Sequence, residues 1–199
     1  MKFIKRLAIT SVPTLLLAGA AHADILLAGP GLNLDIPDDD PVGASVTVVA
    51  SGGMTVETIA VAVSIDHTWV GDHIWTLTSP SGTSVVLMDR PGGVDGGVGD
   101  STNLSSEAGV ILDDRFQTPV EEAGADPCDS SDFLGNGECP RAFAPEQSLA
   151  AFVGEVADGE WTLTVTDNAG ADTGTINGFA IALNNRPGQA EVAAKQLAQ

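Results

Sequence analysis

Across 199 residues the chain carries 27 acidic side chains against 8 Lys and Arg, a formal net charge of −19. That balance excludes a surface built to neutralise nucleic-acid phosphates, and anionic lipid would repel it. It fits oxygen-rich sites for a hard cation in a saline exterior, and equally a plainly solvated acidic surface.

Lys2, Lys5 and Arg6 precede the apolar run Leu7–Ala21, and Ala21-His22-Ala23 places small residues where a signal peptidase cuts. This is the layout of a secretory signal peptide over residues 1–23, with cleavage after Ala23. The run is short and broken by Pro13, against a membrane anchor. Removal of its three basic residues takes the net charge to −22 and leaves Asp24–Gln199, enough chain for one domain with a real core. Export to the periplasm or the medium is expected, with no membrane association after cleavage.

Residues 24–33 read as a short lead-in with an edge strand. Pro37 and Pro41 bracket Asp38-Asp39-Asp40, which makes Leu34–Pro41 a loop, since Pro cannot donate within a central strand. Ser45–Ala50 reads as a strand. Val56–Ile65 sets Ile59, Val61, Val63 and Ile65 on one face and small residues on the other, a long strand with one buried face. Trp69-Val70-Gly71-Asp72 makes a tight corner that brings a carboxylate to a strand entrance. A hairpin follows, His73–Ser79 and Thr83–Met88 about the turn Pro80-Ser81-Gly82, with Trp75 and Leu77 opposite Ile74, Thr76 and Thr78.

Pro91 to Ala144 is glycine-rich and loop-like, with a strand candidate at Val110–Leu112. Cys128 and Cys139 lie within it, and in an oxidising compartment they are expected to form a disulfide closing a twelve-residue loop. Leu149, Phe152 and Val153 mark one helical turn. Trp161–Asp167 and Thr175–Leu183 both alternate and are joined by Asn168–Gly174, a second hairpin. Residues 185–199 read as a disordered tail, with Ala190–Leu197 at most a frayed helix. Many short strands with turns between them and no sustained helical period predict an all-β fold, a β-sandwich or jelly roll.

Several stretches resemble the P domain, or P/homo B domain, that follows the catalytic domain of kexin- and furin-like proprotein convertases and of secreted bacterial subtilisin-type proteases. In order they are Ile36–Pro41, His67-Thr68-Trp69-Val70-Gly71-Asp72, Leu77–Thr83 (LTSPSGT), Leu87–Gly92 and Leu112-Asp113-Asp114. Ser148–Phe152, Gly159–Asp167 and Gly174–Phe179 complete them, so that the resemblance spans residues 34–184. It implies a β-sandwich that stabilises a neighbouring protease and influences its calcium or pH dependence. It does not imply hydrolysis by the module. The sequence departs from the family pattern in standing without a catalytic domain, and residues 123–141 read as an insertion.

Catalysis finds little support in the residues. His67 and His73 are the histidines after the signal segment; no G-x-S-x-G or H-E-x-x-H is present, and Asp66 and His67 point to opposite faces of a strand. His67 reads as a structural residue bonded near Asp72 or Trp69. Calcium draws six to eight oxygens from loop carboxylates, carbonyls and water. Asp38, Asp40, Asp72, Asp100, Asp113 and Asp114 are the candidate ligands, and the resemblance raises Asp72, Asp113 and Asp114 above the rest. Trp75 and Trp161 are expected in the core, and Trp69 is the tryptophan to examine for exposure. The reading is a secreted, non-catalytic, calcium-assisted module whose partner is a secreted protease or an extracellular polymer. A serine endopeptidase system and an adhesion module stand as alternatives.

Overall fold

The computed structural model describes residues 24–92, 99–106, 109–121, 142–185 and 187–197. The expected signal segment and the Cys128/Cys139 pair lie outside the described residues. The strands are β1 (Asp24–Ala28), β2 (Leu34–Ile36), β3 (Asp40–Ala50), β4 (Ile59–His67), β5 (His73–Thr78) and β6 (Ser84–Asp89). They continue with β7 (Val110–Leu112), β8 (Ala142–Phe143), β9 (Gly159–Asp167) and β10 (Gly174–Leu183), and the helix α1 (Gln189–Leu197) follows.

One sheet runs β1-β10-β4-β7-β8, with β2 also paired to β10; the other runs β3-β9-β5-β6. Period-2 alternation decides which side chains meet between them. Val46 and Val48 of β3, Trp75 and Leu77 of β5, and Trp161, Leu163 and Val165 of β9 face Val61, Val63 and Ile65 of β4 and Ile176, Phe179 and Ile181 of β10. Trp161 meets Phe152 edge-on, with ring centroids 5.2 Å apart, and gives its indole N–H to the Ala157 carbonyl at 2.9 Å. Of the all-β architectures expected, β-sandwich or jelly roll, two sheets packed face to face as a sandwich are observed.

Two local expectations change. Leu34–Pro41 is not wholly loop: Leu34–Ile36 pairs with β10, and Asp40 and Pro41 open β3. Pro41 is accommodated because β3 is an edge strand and its register shifts between Asp40 and Ala44. Nor is Gln189–Leu197, expected within a disordered tail, without structure: it forms the helix α1. Ala190, Ala193, Ala194 and Leu197 form one buried stripe of α1, packed on Ala60, Ala62, Ile111 and Ala180. A helix of nine residues is marginal in water. It forms here because the outer face of β4 and β10 carries small residues that admit it. Among the described residues no helix is long and apolar enough to cross a membrane.

Candidate functional site

One end of the four-stranded sheet gathers the polar groups. Asp167 closes β9, and its neighbours in register are His73 on β5 and Asp40 on β3. His67, the last residue of β4, reaches across from the other sheet. His67 Nδ1 lies 3.1 Å from both the Trp69 N–H and the Trp69 carbonyl oxygen, and its Nε2 lies 3.1 Å from Asp167 Oδ2. Both side chains are fully buried. The His73 ring meets that of His67 edge-on at 4.0 Å and accepts the Trp75 indole N–H at Nδ1, 3.1 Å away. Its Nε2 is buried with no hydrogen-bond partner among the described residues.

The corner before β5 delivers Asp72. Val70–Asp72 is a single 3-10 turn whose backbone is pinned on both sides. Gly71 N–H bonds the Asp100 carbonyl, while the Asp72 carbonyl accepts both Asn168 N–H, at 2.9 Å, and Asn168 Nδ2, at 3.1 Å. Only glycine fits at residue 71, because a Cβ there would collide with the backbone of Gly99 and Asp100. The loop from β9 to β10 closes over the corner. Thr68 Oγ1 donates to Asp172 Oδ1 at 2.6 Å, Ala169 N–H bonds Asp167 Oδ1, and Ala171 N–H bonds Asp38. Between corner and loop lies a pocket of about 200 Å³ lined by Trp69, Asp72, Ala169, Gly170 and Asp172. Asp72 is only 3% exposed, and its carboxylate meets no hydrogen-bond donor among the described residues.

Charge follows from this crowding. Burial pushes the Asp72 carboxyl above its ordinary range, with Asp167 and Asp172 reinforcing the shift and His67 and Arg90 opposing it. Asp167 is likewise raised by burial and by Asp38, against the Ala169 N–H and His67. Burial, and then the neighbouring His67, hold His73 well below the usual imidazole value, so it is neutral.

The family model described as proprotein convertase P-domain matches residues 56–109 and 131–183, just over half of the chain. This chain belongs to the P-domain family. Calcium-dependent proteases of Trichormus variabilis and of a Nostoc species are similar at 27% and 28% identity over 152 residues. Those matches cover 75% of this chain but 17% of each relative, so the chain spans about a sixth of the relatives' length. Among solved structures, the serine protease of Aeromonas sobria, alone and in complex with its chaperone, is similar over 80% of this chain and 26% of that one. Identity there is 16–17%, with a TM-score of 0.47.

The P domain distributes the six acids singled out from sequence over three places. Asp38, Asp40 and Asp72 converge on the sheet end around Asp167. Asp38 holds Ala171 N–H and Asp40 holds Val42 N–H, so only Asp72 lines the pocket. Asp100 turns its own loop, accepting Thr102 N–H and Oγ1 at 2.7 and 2.6 Å. Asp113 is 3% exposed and paired with the Arg115 guanidinium, which also bonds it through Nε at 2.9 Å. Asp114 caps the turn Leu149–Phe152, accepting Leu149 N–H, Ala150 N–H and Ser148 Oγ. Sequence reasoning passed over Asp167, Asp172 and Thr68. Asp167 stood at the end of the alternating WTLTVTD run and Asp172 in the loop after it, where their positions alone marked them; the expected second hairpin does not form, because β9 and β10 lie in different sheets and their loop crosses between them.

As a calcium site the corner is incomplete. Among the described residues no three His, Cys, Asp or Glu side chains are drawn together closely enough to hold a metal ion. The pocket offers two carboxylates, Asp72 and Asp172, so an ion there would take most of its shell from water.

Proposed function

We propose that this P domain is a protease-associated module that performs no hydrolysis itself. It stabilises or positions a secreted serine protease, and calcium adds to its stability. The observation that carries the reading is the engagement of its histidines. The His67 ring is buried, with one nitrogen on the Trp69 backbone and the other on Asp167; His73 is buried against it, with its Nδ1 occupied. A general base must reach a substrate proton or an activated serine, and neither ring is open to one. The curated relatives, which are calcium-dependent proteases, support association with proteolysis and a role for calcium. The gathered carboxylates supply a physical reason, since a dication beside Asp72 and Asp172 offsets repulsion that folding creates.

The test pairs the purified chain with a subtilisin-type catalytic domain that lacks such a module. The chain alone should leave casein intact while lengthening the protease's half-life at elevated temperature, more so in millimolar calcium. Casein hydrolysis by the chain alone, abolished by substituting one of its own residues, would replace this reading with that of an enzyme.

A further inference from the structure

We propose that the pocket between Trp69 and the β9–β10 loop binds one cationic side chain, a lysine or arginine presented by a protein partner. The proposal rests on the reading of this chain as a module that docks to another protein, and it names what part of that partner is recognised.

Three observations converge. Asp72 is a carboxylate more than nine-tenths buried that lines the pocket yet receives no hydrogen bond from the described residues. Its oxygens open onto the pocket, where an arriving ammonium or guanidinium can meet them. Asp172 stands on the same pocket with Oδ1 held by Thr68, which fixes the carboxylate in place. Asp38 and Asp167 add negative potential behind the pair. Among the described residues, Arg90 is the cation whose charge reaches Asp72, and it is committed through Nε to the Gly71 carbonyl at 3.0 Å.

The third observation is the pocket's wall and size. About 200 Å³ is room for roughly six waters at ~30 Å³ each, far more than one ion needs. Among the described residues no third acidic or imidazole ligand is gathered there, so they do not supply the oxygen set that gives calcium high affinity. An ammonium or guanidinium needs less: one or two carboxylates and an aromatic neighbour. Trp69 supplies the aromatic neighbour, while Ala169 and Gly170 leave width for an aliphatic stem. A chain of net charge −19 also draws basic partners toward it. Calcium is then a weak competitor for the same two carboxylates.

The probe is N-acetyl-arginine amide, with the isosteric but neutral N-acetyl-citrulline amide as its control, followed by tryptophan fluorescence of the whole chain. Trp75 and Trp161 are fully buried, so a solvent-side ligand reports through Trp69. The expected result is saturable binding in the millimolar range for arginine and none for citrulline. Binding should weaken about fivefold in Asp72→Asn, as one screened ion pair allows, and also when calcium is added. Should Asp72→Asn fail to fold, Asp172→Asn carries the same expectation. No saturable change with arginine, an equal response to citrulline, or unaltered affinity in both variants would overturn the proposal. A thermal shift with calcium, read separately, keeps the two readings apart: calcium stabilisation without arginine binding leaves the module and removes the docking pocket.

Discussion

Gly174→Ala is the substitution that most directly tests how the corner is held. In a strand interior, alanine is ordinarily better than glycine by about 0.5–1 kcal/mol, so propensity predicts a gain. The structure predicts the reverse. Gly174 lies directly opposite His67 in the β10–β4 ladder. A Cβ there would press on the Asp66 carbonyl oxygen and the His67 ring, with His67 Cβ at 3.0 Å. Neither neighbour can retreat. The carbonyl belongs to β4, and the ring is fully buried between the Trp69 backbone, Asp167 and His73. Overpacking of this kind costs about 1–3 kcal/mol, and displacement of His67 from Asp167 leaves buried polar groups unpaired at about 1–3 kcal/mol more. Set against the propensity gain, the net loss is about 1–5 kcal/mol, a fall in Tm of roughly 3–20 °C for a domain of this size. The internal comparison is Gly178→Ala, where the Cβ would meet Leu197 Cδ2 at 2.6 Å, the far end of a side chain in the last turn of α1. That side chain can swing aside, so the cost stays below about 1 kcal/mol. Urea and thermal unfolding of both variants measure the difference. A Gly174→Ala protein as stable as the parent, or a Gly178→Ala protein equally damaged, would refute the steric account.

Burial pushes the Glu121 carboxyl up to about 7, with the Asp89 N–H opposing and Glu146 and Asp89 reinforcing the shift. Its folded pKa exceeds its unfolded one, so the native state keeps a proton that the unfolded chain has released, and stability falls as pH rises through that window. Discounted for solvent screening of a half-buried group, Glu121→Gln should therefore gain about 1–2 kcal/mol over the parent at about pH 8 and almost nothing at about pH 4. Equal gains at both, in urea midpoints, would refute the assignment. Asp114→Ala removes three bonds to the Leu149–Phe152 turn and its Ser148 cap. It should cost about 1 kcal/mol while leaving any calcium-induced shift in Tm intact; loss of that shift would return Asp114 to the metal. Arg115→Ala strips the guanidinium from Asp113, which keeps Arg115 N–H and Asn185. With the Arg115 side chain 42% exposed and its attraction screened, the expected cost is about 1–2 kcal/mol. Adding Asp113→Asn should recover part of it in a double-mutant cycle.

How far the site could be read from the chain varies residue by residue. The HTWVGD corner announced a carboxylate at a strand entrance, and Asp72 is there. Asp113 and Asp114 looked equally suitable. Arg115, two residues on from Asp113, was a local warning of an ion pair, whereas Ser148 and Leu149, which occupy Asp114, lie more than thirty positions away. His67 was expected near Trp69 or Asp72. It does bond Trp69, but its other partner is Asp167, one hundred residues along, and no local pattern indicates such a pairing.

Alternation, the Pro80-Ser81-Gly82 turn and the apolar content of the strands determined by themselves an all-β fold, sandwich or jelly roll, because side-chain period and turn geometry are properties of neighbouring residues. The tertiary structure decided the rest. It folded Gln189–Leu197 onto a sheet face whose small residues are useful only once β4 and β10 lie side by side. It also brought Asp38, Asp72, Asp167 and Asp172 to one end of the sandwich. Whether a carboxylate is spent on a backbone N–H, capped by an arginine or left facing a pocket depends on which distant segment arrives beside it. That is settled only when the sheets close.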